Sequence, residues 1–411
     1  MALKHFKILF KAVVIFFYCL TNLNMPIFSS LRKYYILIVC LFFLACQSKD
    51  PIATAEKIKL NLVDPNSVMD FSKRFASSEV IALETTKNSL IGEINRIYLY
   101  NGRIYLLDRS TNSVLIFNRN GTYITKLHAV GSGKGKYIGI MDFTIDEAGK
   151  KIIIHSHRPY KIIYYDLDGT FVSEVLLKNY FHNIGVADNK LITVNSSEDE
   201  EFLAALSNFD NSGIEPFIKR TTVSEMFKSF STIFPNILSS KKKYITFPYS
   251  STVYKYEKNR IIPAYDFDFG QRNMPDSILN KNLTASEIYN VAMKNDYGFF
   301  ITNFRETNDF LIFSYGKGSI VIYSKKDRTT ECFNFVKNDQ ELINFENLFG
   351  HDGDDDYILS VKEAINFKDQ MLVYRSDAKS WAKVPAHAKH IDSVLNDKSN
   401  PVLILYKLKS K

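Results

Sequence analysis

One stretch of this chain repeats at a fixed offset, and that limits the fold more than any other feature. Ile104–Leu127 (IYLLDRSTNSVLIFNRNGTYITKL) and Ile152–Val175 (IIIHSHRPYKIIYYDLDGTFVSEV) align so that Ile104 meets Ile152, Phe117 meets Tyr165 and Gly121 meets Gly169. Both read as short strands interrupted by turn residues. Asn120-Gly121 and Asp168-Gly169 are hairpin signals, and the expected turn is a two-residue type I′, whose central positions both need φ > 0. Upstream of the second unit, Asp142–Asp146 is a further short strand, closed by Glu147-Ala-Gly-Lys150. Each unit is then four short antiparallel strands, the size and pattern of a propeller blade.

Fainter strand sets follow at Tyr244–Phe247, Thr252–Glu257 and Ile261–Phe269, then at Phe310–Ser314, Ser319–Ser324 and Thr329–Val336, and last at Gln370–Tyr374 with Val402–Leu408. Units near Ile91–Leu127, Tyr137–Leu177, Asn179–Lys219, Phe230–Gly270, Gly298–Val336 and Phe349–Lys409 make six. The expected fold is all-β: a six-bladed β-propeller of four-stranded antiparallel blades over residues 79–411. Glu79–Leu83 is expected to complete the last blade, because an open array leaves bare sheet edges. The stretch Met274–Asn295 predicts a small helical insertion, with Ser286 as its cap. A pair of β-sandwiches is the competing arrangement.

The first 46 residues read as targeting sequence. Phe6–Leu20 and Tyr34–Ala45 are apolar but short for a membrane span, which takes about 20 residues. Arg32-Lys33, the apolar run, Ala45-Cys46 and then polar Gln47–Asp50 have the layout of a secretory signal, of ordinary length if translation begins at Met25. Phe43-Leu44-Ala45-Cys46 resembles a bacterial lipobox, so Cys46 is the expected lipidation site, anchoring the chain to the membrane. The expected address is the cell envelope, as an outer-membrane lipoprotein facing the periplasm, since no acidic run follows Cys46. Residues 47–78 read as a polar leader. Cys332 is then the last cysteine of the mature chain, without an intramolecular disulfide partner and suited to a core strand.

Charge removes one class of partner. Five of the net +8 charges lie in residues 1–45, which hold no acid, leaving 47 basic against 44 acidic residues in the remainder. Nucleic acid is disfavoured, because phosphate binding needs a dense basic surface.

Three stretches resemble the six-bladed β-propeller lipoproteins of Bacteroides-type bacteria, whose blades are similar to NHL repeats. Glu79-Val-Ile-Ala-Leu-Glu-Thr-Thr86 with Leu90-Ile-Gly92 looks like that family's opening strand, although Ala82 stands where the family usually has Pro. Gly131–Tyr137 through Asp142–Asp146 looks like its first inter-blade loop and next inner strand, with Lys134 and Lys136 in place of the usual Pro and Glu. Thr252–Tyr254 through Phe269-Gly270 and Pro275, with Asn400–Tyr406, complete the match. The resemblance implies a fold and an envelope address, and almost no chemistry.

Few constellations suggest chemistry. Gly131-Ser-Gly-Lys-Gly-Lys136 lacks phosphate-loop spacing and precedes a strand, so it reads as a loop between blades. Asp352, Asp354 and Asp356 alternate as in a calcium loop, but Tyr357 stands where that loop needs Gly; calcium is the one cofactor they suggest. His155 and His157 share a strand face, and His387 with His390 is a second pair, but neither comes with a third metal ligand. No Gly-x-Ser-x-Gly elbow occurs, and no catalytic residue is assigned. If strands run inner to outer in each blade, Asp108, Arg109, Lys134, His155, His157, Arg158 and Tyr160 ring one mouth, a candidate binding face for a glycan, a peptide or an envelope protein. The expected function is binding or scaffolding. The alternative is a propeller enzyme of lyase, hydrolase or calcium-dependent lactonase type, with its site over the central channel.

Overall fold

The computed structural model describes residues 54–62, 67–194, 201–227, 230, 235–239, 242–279, 283–298, 300–339, 343–344, 347–354 and 356–409. The chain divides into two units, and the second, Thr54–Lys411, holds all the described residues. The expected signal region, the start at Met25 and the lipidated Cys46 all lie outside the described residues.

The second unit is mostly β and propeller-like, a succession of antiparallel meanders. Arg96–Tyr100, Arg103–Asp108, Ser113–Asn118 and Tyr123–Leu127 form the first sheet. Gly139–Asp146, Lys151–Arg158, Lys161–Asp166 and Phe171–Leu176 form the second, and Asn183–Ala187, Lys190–Val194, Phe202–Ser207 and Glu215–Lys219 the third. The fourth contains Ile237–Ser239, Lys243–Ile245, Thr252–Glu257 and Arg260–Asp268; the fifth contains Thr302–Glu306, Phe310–Tyr315, Ser319–Ser324 and Thr329–Phe333. In the sixth, Val402–Leu408 lies between Tyr357–Lys362 and Phe75–Ala82, so the early strand does complete the last sheet.

The hairpins sit where the repeat put them but are of another type. Gly121 N–H donates to Asn118 O at 2.9 Å, Asn118 N–H to Thr122 O at 2.8 Å, and the register slips between Ile116 and Phe117. Gly169 and Asp166 copy this at 3.1 and 2.9 Å, and both glycines have φ +89°. Only the glycine takes positive φ, the mark of a bulged hairpin instead of a two-residue type I′ turn. Paired positive φ occurs at Asn101-Gly102, Asp188-Asn189 and Lys258-Asn259, which join neighbouring strands directly.

Three other expectations need correction. The described part of the stretch 47–78 is not a separate leader: Glu56–Lys59 adds a parallel fifth strand to the fourth sheet, and Val68–Asp70 pairs with Phe335–Lys337. Phe71 and Phe75 are fully buried there, stacked on each other at 5.2 Å and against Tyr406. Gln370–Tyr374 is helix, not strand. It lies in Ala364–Arg375, followed by Ala378–Lys383 and Ala386–Val394, all inserted before the strand Val402–Leu408. Ala364, Phe367 and Met371, spaced three and four apart, bury one side of that helix in the core. The insertion at Met274–Asn295 is helical as expected, over Asp276–Leu279 and Ala285–Asn295, but its cap is Thr284: the Oγ1 accepts from Glu287 N–H while Glu287 reaches back to Thr284 N–H.

The leading strands of the first five sheets lie against one another in turn. Arg96, 1% exposed, ties them together. Its guanidinium donates to Asp352 at 2.6 and 3.2 Å, to Asp142 at 2.7 Å, and to the carbonyls of Ile184 and Ile237, both at 3.0 Å. Those partners belong to the second, third and fourth sheets and to Asp352-Gly353, which pairs parallel with Tyr98-Leu99 of the first. Asn303 and Arg305 of the fifth sheet bond Leu348 O, His351 O and Asp354 O in the segment leading to the sixth. Cys332 is buried in a strand, as expected for a core cysteine.

Candidate functional site

The loops between second and third strands, and the crossings between sheets, are where the sequence places a binding mouth. The structure divides the predicted residues. Asp108 is fully buried and structural: its carboxylate accepts from Ser110 Oγ at 2.6 Å, Gly92 N at 2.8 Å and Thr111 N at 3.1 Å. Burial pushes its pKa up, but these hydrogen bonds outweigh burial and hold it below the ordinary value. Arg109 is half-buried, its main-chain N–H bonded to Asn95.

Gly131–Lys136 is held by its own sheet. It folds over the outer strands of the second sheet, where Gly135 N–H donates to Glu174 at 2.8 Å and Tyr165 Oη to Gly135 O at 2.7 Å. Gly135 is at φ +66°, and a Cβ there would sit 2.6 Å from the Phe171 ring, so the approach requires glycine. Lys134 lies over the same ring at 5.7 Å.

His155 is buried, stacked on Phe181 at 4.4 Å, and among the described residues no hydrogen bond of good geometry reaches its ring nitrogens, although the main chain of His182 lies alongside. Burial pushes its pKa down to about 3, so it is neutral at physiological pH. It is not a surface ligand.

His157 and Tyr160 do come together, with two residues the sequence reading missed. Tyr160 and Tyr180 pack edge to face at 5.0 Å, His157 stands 5.6 Å from Tyr160 and 6.1 Å from Tyr180, and His182 lies 4.7 Å from Tyr180, whose Oη is 3.0 Å from His182 Nε2. Tyr160 and Arg158 are exposed at the rim. The signal for the missed pair was Tyr180-Phe181-His182, which enters the third inner strand as Tyr137 enters the second. The local main chain is paired within itself: Ile138 N–H donates to Arg158 O and Leu177 N–H to Tyr160 O. What this surface presents is therefore side chains: ring faces with polar tips.

The acidic cluster separates. Asp352 is buried against Arg96, while Asp354 faces Arg119 at 3.7 Å and accepts from Asp356 N–H at 3.2 Å. Among the described residues no group of three His, Cys, Asp or Glu is placed to hold a metal ion, and no helix is long and apolar enough to cross a membrane. Two cavities, of about 530 and 510 Å³, open by the turns that end the inner strands, away from the ring cluster, and both are lined by Glu147.

The family model described as "Domain of unknown function (DUF4934)" matches residues 56–407. No curated protein matches the chain. A Bacteroides fragilis protein whose structure is described as that of an exported protein aligns at TM-score 0.67 with 19% identity, over 87% of this chain and all of its own; at that identity the likeness is one of fold. A Bacteroides vulgatus member of the DUF4221 family aligns at TM-score 0.46 with 8% identity, covering 82% of this chain and 97% of its own. Virginiamycin B lyase of Staphylococcus aureus aligns at 0.36 with 13% identity, over 62% and 73%.

Proposed function

The chain belongs to the DUF4934 family, and from that premise we propose that it is a lipid-anchored, closed six-bladed β-propeller of the cell envelope that binds a glycan, peptide or protein partner. Closure is supported by Arg96, which bonds groups from the second, third and fourth sheets and from Asp352 beside the first. An envelope address is supported by the signal layout ending at Cys46 and by the description of the Bacteroides fragilis neighbour as exported.

The observation that carries the binding reading is the ring cluster of His157, Tyr160, Tyr180 and His182. These are partly exposed aromatic groups on a rigid framework, the side-chain type that dominates recognition surfaces. The buried charges in the middle of the molecule favour binding over catalysis. Arg96, Asp142 and Asp352 are engaged with one another, whereas a catalytic set needs groups left open to substrate.

The test is the thermal midpoint of the full chain against panels of oligosaccharides and peptides, since a ligand binding only the folded state raises it. A shift that disappears in Tyr160→Ala/Tyr180→Ala supports the reading. A shift that survives this change moves the site elsewhere.

A further inference from the structure

We infer that the 530 Å³ cavity beside Glu147 is a second binding site, for a neutral, hydroxyl-rich ligand of the oligosaccharide class. It lies on other loops than the ring cluster and stands independently of that reading. Its volume is within the range of about 300–1,000 Å³ usual for small-molecule sites.

The argument is one of charge balance and fixed geometry. The lining brings two guanidiniums, Arg103 and Arg119, together with three carboxylates, Glu147, Asp354 and Asp356. Each guanidinium already has an anionic partner outside the lining: Arg103 Nη1 donates to Asp168 at 2.7 Å and to Leu167 O at 3.1 Å, and Arg119 pairs with Glu79 at 2.9 Å. An anionic ligand would meet three carboxylates, and a cation could not use the guanidinium donors.

What stays open is hydrogen-bonding capacity. A guanidinium has five N–H donors. Arg103 uses one nitrogen for both contacts, with Tyr105 beside it, and keeps donors to spare. Arg119 Nη1 stands 3.7 Å from Asp354, beyond hydrogen-bond distance. Glu147 is an acceptor held in place: fully buried Tyr98 donates to Oε1 at 2.9 Å and Tyr100 to the main-chain oxygen at 3.0 Å, while among the described residues no hydrogen bond to Oε2 is found. Donors and acceptors therefore line one space. A hydroxyl group both donates and accepts, so a polyhydroxylated ligand satisfies the two kinds together without bringing a charge. Because Glu147 is already fixed by its tyrosines, little ordering opposes binding.

The experiment presents the full chain to an array of neutral, uronic-acid and sulfated oligosaccharides, followed by titration calorimetry with the best neutral probe. Expected is binding of a neutral oligosaccharide, weakened tenfold or more by Glu147→Gln and by Arg103→Gln, and unchanged by Lys219→Gln, an exposed residue of the third sheet in neither site. Arg103 reaches solvent, so Arg103→Gln carries the test if Glu147→Gln does not fold. Preference for the uronic-acid or sulfated probes, loss of binding on Tyr160→Ala but not on the cavity variants, or no binding to any probe would each overturn the inference.

Discussion

Replacing Arg96 with Met removes a cation that holds two buried carboxylates and two carbonyls across four other segments. Breaking a buried ion pair by deleting one partner costs about 3–5 kcal/mol, because the remaining charge is left uncompensated. Asp142 keeps donors in Ile184 N–H at 2.9 Å and Asn183 Nδ2 at 3.3 Å, which limits its share, while the carbonyls of Ile184 and Ile237 each lose a donor. The expected total is roughly 5 kcal/mol. Unfolding entropy is about 2.1 cal/mol/K per residue. Over the residues 56–407 of the family match, that is about 0.74 kcal/mol/K, so the midpoint should fall by about 7 °C. Differential scanning calorimetry of Arg96→Met measures it. Adding Asp142→Asn and Asp352→Asn should restore part of the loss, since neutral amides cost less to bury than charges. A fall of under about 2 °C, or a triple variant no better than the single, would refute the view that Arg96 holds the sheets together by compensating buried charge.

Three further outcomes are expected. The folded-state pKa of His155, about 3, lies below the ordinary 6.5, so the unfolded chain takes up this proton first as pH falls. The associated stability is intact above pH 6.5 and is lost toward pH 3, by about 2 kcal/mol at pH 5; His155→Phe should flatten the midpoint's pH dependence, and equal slopes for the two proteins would contradict it. Gly353→Ala would place a Cβ 1.9 Å from Leu99 O at φ +80°, so a loss of about 2 kcal/mol or more is expected, with faster amide exchange in Arg96–Tyr100. Thr284→Ala should cost about 1 kcal/mol in chemical denaturation and Ser286→Ala almost nothing, since only Thr284 completes the capping box.

Sequence alone determined the β-rich, four-strand units, because strand alternation and turn chemistry are local: the 48-residue offset between Gly121 and Gly169 reappears as two hairpins with the same φ of +89°. It also located the helical insertion after Met274 and assigned the early strand to the last sheet, while its partner Val402–Leu408 came from the structure. Local signals misjudged Gln370–Tyr374, where strand-forming residue types sit in a helix because Phe367 and Met371 find core beneath them. They placed His157 and Tyr160 on one mouth but missed Tyr180 and His182, which come from the next crossing and meet them only when the second and third sheets are set side by side. Arg96, Asp142 and Asp352 are scattered through the chain as ordinary charged residues. Only the tertiary structure buries all three together, and burial is what turns an arginine and two aspartates into a single connected group.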